Sequence, residues 1–310
     1  MVTGAAGFLG RHLAEALLTE GDVIGVDRIA PRTPGTAGRG RFDFVECDLR
    51  DAARVTEVCR RDRFDIIFHL AGVLALPAEE DPVAACQANV QGTLHLLEAA
   101  RRAGIGRVVF ASSIAVYGQV GGRITEDAPL RPRLMYGVTK VAGEALGGYY
   151  TTRHGLDFRA LRLPSVLGPG RGGESLTGNY SRLVEAAATG RPFEVPLPPE
   201  VALPLVYVKD SVAALRALGA APRERLRRTA YHLNGFAPPL TLGALADAVR
   251  RQLPGTALTF RPDPAVEARV RDLAGLELDD AAARDDWGWT PRFDADLMVA
   301  DFLASRATAC

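Results

Sequence analysis

Tyr136 and Lys140 stand four residues apart in a stretch of helical periodicity, so both side chains emerge on one face of a helix. A phenol is a poor base at neutral pH, and a neighbouring ammonium lowers the cost by stabilising the phenolate. Of the 37 basic residues only two are lysines, Lys140 and Lys209. A compact ammonium can approach both a phenol and a ribose, which a planar guanidinium cannot. Upstream, Ser112 and Ser113 close a strand-like run and offer a hydroxyl to orient a substrate oxygen. Together these residues read as proton transfer at an alcohol or ketone. Alone, the Tyr-x-x-x-Lys spacing also describes an ordinary amphipathic helix.

The run Gly4-Ala5-Ala6-Gly7-Phe8-Leu9-Gly10 leads directly into a helical pattern. Glycines spaced three apart between strand and helix let the backbone approach a pyrophosphate, held by amide N–H groups and the helix N-terminus. Downstream, Val23-Ile24-Gly25-Val26 ends in Asp27. A strand-end carboxylate accepts from ribose hydroxyls and repels a 2′-phosphate, which favours NAD over NADP. Arg28 beside it could serve a phosphate. Asp48 is either a partner for the adenine amino group or a surface acid. In His69-Leu70-Ala71-Gly72 the small residues let backbone pass close to a cofactor, and His69 reads as a packed strand histidine.

The elements that must position these groups are short apolar runs alternating with 3.6-residue periodicity. Strands are expected at 23–27, 42–47, 65–71, 107–112 and 158–163, with helices at 8–19, 52–61, 82–103 and 134–154. Buried strands separated by helices imply a parallel sheet of right-handed βαβ units, the doubly wound Rossmann architecture of the α/β class. Only Met1, Val2 and Thr3 precede Gly4, so the first strand is unusually short or the numbering begins inside a longer chain. Beyond Pro164 the texture changes to Gly-rich and Pro-rich stretches. The expectation is a Rossmann domain over 1–164 and, over 165–310, a smaller C-terminal α/β lobe that binds substrate, with some elements returning to the first domain. At 310 residues and 47% hydrophobic, the chain can bury a large core.

No apolar run reaches the length of a membrane span, and 37 basic residues balance 37 acidic ones. Neither membrane nor nucleic acid is therefore expected as a partner. Cys47, Cys59, Cys86 and Cys310 form no metal or disulfide pattern, and no leader precedes the glycine motif. The expectation is a cytoplasmic protein without a metal.

Taken together, Thr3–Gly10, His69–Gly72, Asn89-Val90-Gln91-Gly92-Thr93, Ser112–Gly118 and Tyr136–Lys140 resemble the extended short-chain dehydrogenases/reductases, the NAD-dependent epimerase/dehydratase family. The resemblance spans essentially the whole chain. It implies a catalytic set of Ser113, Tyr136 and Lys140. It implies NAD held by Gly4, Ala6, Gly7, Phe8, Leu9, Gly10, Asp27, Arg28, Asp48, Leu49, Leu70, Ala71, Gly72, Asn89, Tyr136, Lys140, Leu163 and Pro164, with Asn89 largely structural. Substrate contacts fall on Leu74, Ser112, Ser113, Tyr136, Ser165, Thr177 and Tyr180. Family members often dimerise through the helices here at 82–103 and 134–154, which implies a homodimer.

Nucleotide-sugar members carry an asparagine where Ser165 stands, and later a Gln/Arg stretch that grips the nucleotide; here that stretch is Pro196–Tyr207, whose only charge is Glu200. The segments 132–140, 155–164, 196–199 and 278–289 look instead like small-substrate dehydrogenases of the L-threonine 3-dehydrogenase and D-erythronate dehydrogenase types. The expected activity is NAD-dependent interconversion of a secondary alcohol and a ketone on a small polar substrate. The alternatives are a nucleotide-sugar epimerase or dehydratase using the same residues, and a non-catalytic NAD-binding regulator.

Overall fold

The protein is described by a computed structural model covering residues 1–31, 39–118, 121–171, 178–271 and 273–307. A seven-stranded sheet, parallel throughout, forms its centre. The first five strands in the chain are β1 (Val2–Thr3), β2 (Val23–Asp27), β3 (Phe42–Glu46), β4 (Ile67–His69) and β5 (Arg107–Ser113). Beyond β5 lie Asp157–Leu163 and, at the sheet edge, Ala230–His232, on the far side from β4, β1, β2 and β3. The sheet is doubly wound, as the βαβ rhythm predicts. The first strand, as described, has two residues.

Alternate residues of the central strands enter separate cores. Val109 and Leu161 pack into one, while Val108, Phe110, Phe158 and Ala160 pack into the other, as the period-2 geometry of a strand buried on both faces requires. The helices α1 (Phe8–Leu17) and α2 (Ala52–Arg61) follow β1 and β3. Asp51 caps α2 by accepting from the Arg54 N–H at 3.0 Å, which fixes its start where the sequence places it.

The stretch 82–103, expected as one helix, contains a π-helical turn at Gln87–Gln91 between Pro82–Cys86 and Gly92–Ala103. In the second half, Val208–Ala220 packs against α1 and the sheet, and Ala230–His232 adds the last strand. The remaining pieces form short pairs, Ser165–Leu167 with Leu205–Tyr207 and Phe193–Val195 with Leu258–Phe260, beside the helices Asn179–Ala188 and Leu242–Gln252.

Candidate active site

The glycine loop turns from β1 into α1 at the carboxyl end of the sheet, where open parallel sheets bind ligands. Gly4 has φ +73°, and a Cβ there would lie 2.7 Å from the Ala71 nitrogen. A Cβ on Gly10 would come within 1.9 Å of the Gly4 carbonyl oxygen. The loop therefore packs backbone on backbone, with no room for side chains. Gly7 caps α1 without a side-chain hydrogen bond, and no acidic residue occupies the first turn. The N–H groups and the positive end of the helix dipole are thus left for an anion. Asp27, at the end of β2, accepts from the Ala6 N–H at 3.0 Å and the Arg28 N–H at 2.7 Å, so its carboxylate braces the loop. Leu70 N–H donates to the Thr3 carbonyl at 3.2 Å and Ala71 N–H to Thr3 Oγ1 at 3.3 Å, which draws the end of β4 alongside. A donor-lined cradle next to a strand-end carboxylate fits a dinucleotide.

Ser113 ends β5 and lies level with Leu163 on the neighbouring strand. Its Oγ accepts from the Ala115 N–H at 3.2 Å and meets the Tyr136 hydroxyl. Tyr136 and Lys140 project from the helix Met135–His154. That helix has no side-chain cap of its own; Glu79 supplies one, accepting from the Met135 N–H at 2.5 Å. Lys140 is 4% exposed. Its Nζ donates to the Ala111 carbonyl at 2.7 Å and lies 4.6 Å from the Phe110 ring centre and 5.5 Å from that of Tyr136.

Burial sets the protonation of both groups. It pushes the Tyr136 phenol up to about 12, against the opposing effects of the Ser113 hydrogen bond and the Arg171 charge. It also brings Lys140 down to about 8, with the Glu144 charge pulling the other way. His69 is a packed strand histidine. Its Nδ1 pairs with Thr3 Oγ1 at 2.8 Å and its Nε2 with Thr93 Oγ1 at 2.9 Å, and burial lowers its pKa to about 3.

Several expected residues are engaged with partners inside the protein. Ser112 points away from Ser113, as strand alternation demands, and donates to Glu144 Oε1 at 2.5 Å. Asp48 is paired with Arg50 at 2.7 Å, a surface ion pair and not an open acceptor for adenine. Asn89 serves as a tie: Oδ1 accepts from the Val73 N–H at 2.7 Å, while Nδ2 donates to the Val73 carbonyl and to Thr139 Oγ1, both at 3.0 Å. Tyr180 is 1% exposed. Its hydroxyl donates to the Val201 carbonyl at 2.8 Å and accepts from the Leu203 N–H at 3.2 Å, so it holds the wall behind the cleft and does not face a substrate.

Leu49, Leu163 and Pro164 are buried, Arg28 and Leu74 are exposed, and Ser165 is half-buried. Thr177 lies outside the described residues. Two residues at the site carry no sequence signal. Arg171 donates to the Val166 carbonyl at 2.5 Å, stacks on Phe8 at 5.5 Å and acts electrostatically on Tyr136. Glu144 sits one turn beyond Lys140. Both arise from tertiary approach.

The fold and its glycine cradle are those of a Rossmann-type dinucleotide enzyme. Residues 1–233 match the NAD dependent epimerase/dehydratase family. The chain is 32% identical over 315 residues to the mitochondrial L-threonine 3-dehydrogenase of Bos taurus, covering 98% of this chain and 81% of that protein. It is 33% identical over 288 residues to the D-erythronate dehydrogenase of Cupriavidus necator, covering 89% and 88%. The holo form of the GalE-like L-threonine dehydrogenase from Cupriavidus necator has the same fold at TM-score 0.88 and 30% identity, covering 98% of both chains. The chain belongs to the NAD-dependent epimerase/dehydratase family and is an oxidoreductase of its extended short-chain type.

Proposed function

We propose that the protein is an NAD-dependent dehydrogenase that interconverts a secondary alcohol and a ketone on a small carboxylate-bearing substrate: a hydroxy acid, an amino acid or a sugar acid. The reading rests on one observation, the convergence of Ser113, Tyr136 and Lys140 beside the glycine cradle at the carboxyl end of the sheet. Bound nicotinamide supplies the acceptor for the hydride leaving the carbinol carbon. Ser113 orients the substrate oxygen. Tyr136, as phenolate, takes the hydroxyl proton, and returns it in ketone reduction. Lys140 supplies the positive charge that favours the phenolate and is placed to hold the nicotinamide ribose. Gly4–Gly10 and Asp27 hold the diphosphate and the adenosine ribose, with the cofactor read as NAD.

Substrate size follows from the C-terminal wall. Leu197, Leu203, Leu205, Val206 and Tyr207 are buried, and Glu200, the only charge in the segment, faces solvent. Arg182 is exposed, with its guanidinium over the Phe193 ring at 5.4 Å. Among the described residues Arg171, which acts on Tyr136, brings a second cation to the cleft beside Lys140, and its planar guanidinium suits a carboxylate. A nucleoside diphosphate needs two or more cationic donors for its pyrophosphate. Calorimetry is therefore expected to show no saturable UDP or dTDP binding below millimolar concentration, with turnover limited to small acids. Micromolar UDP or dTDP binding in competition with substrate would overturn this reading.

Asp27→Ala should relax cofactor choice, because it removes a ribose acceptor and a charge that repels a 2′-phosphate. The expected result is a fall in the NAD/NADP preference, read as the ratio of kcat/KM values. Equal use of NADP by the wild type would contradict the role given to Asp27.

A homodimer and a cytoplasmic setting belong to the same proposal. Val83 (67%), Leu94 (39%), Val138 (44%) and Tyr149 (57%) are exposed on the two helical stretches expected to pair, and Cys47, Cys59 and Cys86 are free thiols. A light-scattering mass equal to one chain would remove the dimer. Among the described residues no helix is long and apolar enough to cross a membrane.

A further inference from the structure

Behind the catalytic helix lies a buried polar chain that the proposed chemistry does not use. Glu144 follows Lys140 by four residues and Tyr136 by eight, on the same side of the helix. Its side chain is 10% exposed and that of Arg162 is 7% exposed. Glu144 Oε1 accepts from Ser112 Oγ at 2.5 Å and Arg162 Nε at 3.0 Å, and Oε2 accepts from Arg162 Nη2 at 2.7 Å. Arg162 Nη1 also donates to the Glu126 carbonyl at 2.9 Å and to the Tyr117 hydroxyl, which meets His232 Nε2. One carboxylate therefore fastens three elements: the end of β5 just before Ser113, the strand carrying Arg162, and the helix carrying Tyr136 and Lys140.

We propose that Glu144 is a positioning residue for the reaction, tying the helix that carries Tyr136 and Lys140 to the strand end that presents Ser113. This rests on the roles given above to Tyr136, Lys140 and Ser113. The same carboxylate bears on the charge balance at Lys140. Burial favours loss of its proton, and the negative charge of Glu144 opposes that loss. The other titratable groups facing Lys140 are Tyr136 on its own helix and His69 on β4. With its pKa lowered to about 3, His69 is neutral in the working range. Facing Glu144 are Arg162 and Ser112, with Tyr117, His232 and Glu126 beyond them.

The test is the pH profile of kcat for the wild type, E144Q, E144D and the double variant E144Q/R162M, each checked for NAD binding and thermal unfolding. Removing the negative charge makes Lys140 lose its proton more readily. The alkaline limb in E144Q should therefore move to lower pH by about one unit, a roughly tenfold change in proton affinity. KM for substrate should stay within a few-fold. E144D should recover most of the wild-type profile.

E144Q strands the buried Arg162, so the double variant restores charge balance behind the helix. It should keep a lowered kcat, with KM within a few-fold, even where stability returns. A wild-type profile in the double variant, or a kcat loss in E144Q that only tracks unfolding, would overturn the proposal. If Tyr136→Phe is inactive while E144Q is normal, only this inference fails. If Tyr136→Phe is active, the reading beneath it fails.

Discussion

Tyr136→Phe is expected to lower kcat by at least ~10²-fold, in line with the usual contribution of a positioned acid–base group. The ring keeps its shape between Ser113 and Lys140, so NAD affinity should stay near the wild-type value. The size of the loss follows from the geometry. The phenol shares its hydrogen bond with the Ser113 side chain, and the nearby Lys140 ammonium lies 5.5 Å from the ring centre. In the proposed mechanism neither neighbour replaces it as a base: Ser113 orients the substrate oxygen, and Lys140 supplies the charge that favours the phenolate. Steady-state kinetics with calorimetric NAD titration separates turnover from binding. A turnover within a few-fold of wild type would remove Tyr136 from its role.

The largest effect on stability is expected at Arg159, away from the site. Its side chain is 1% exposed. Nε and Nη2 grip Asp157 at 2.9 and 2.6 Å, while Nη1 reaches the carbonyls of Ala221 at 2.7 Å, Gly219 at 3.3 Å and Leu218. One guanidinium thus closes the C-terminal end of Val208–Ala220 and binds that helix to the strand Asp157–Leu163. Arg159→Met fills much of the same space but leaves the Leu218 and Ala221 carbonyls without this buried donor, while Gly219 keeps Arg107 Nη1 at 2.6 Å. Asp157 would keep Arg107 at 2.9 Å and Arg223 at 3.1 Å. Leaving a buried acceptor unpaired costs about 1–3 kcal/mol per group, so the loss of this donor should cost a few kcal/mol. Urea unfolding followed by circular dichroism should show that loss; a change below about 1 kcal/mol, the scale of a surface pair, would contradict it.

Where local chemistry decides an element, the sequence reads well. Ala52–Arg61 spans the stretch its periodicity predicts, with Asp51 capping it, and Thr241 caps Leu242–Gln252 in the same way. The glycine loop is legible for a similar reason, because close backbone packing excludes any Cβ at Gly10. Side-chain direction is another matter. Tyr180 reads as a substrate contact by position, yet its helix turns the ring inward, where backbone groups at Val201 and Leu203 take the hydroxyl. The π-helical turn at Gln87–Gln91 leaves the apolar periodicity nearly intact, so 82–103 reads as one helix. Arg171 and Glu144 matter through groups distant in sequence or on other strands, such as Phe8, Ser112 and Arg162. No window of local sequence contains those pairs.

The most direct test of the central claim is net cofactor reduction. Purified protein with NAD should be offered hydroxy acids, amino acids, aldonic and uronic acids, and nucleotide sugars, with NADH followed by absorbance over many turnovers. The account predicts steady NADH accumulation, one per substrate consumed, with at least one small carboxylate, and none with Tyr136→Phe. Conversion of a nucleotide sugar without net NADH, alongside no reduction with any small acid, would contradict it and point to epimerase or dehydratase chemistry.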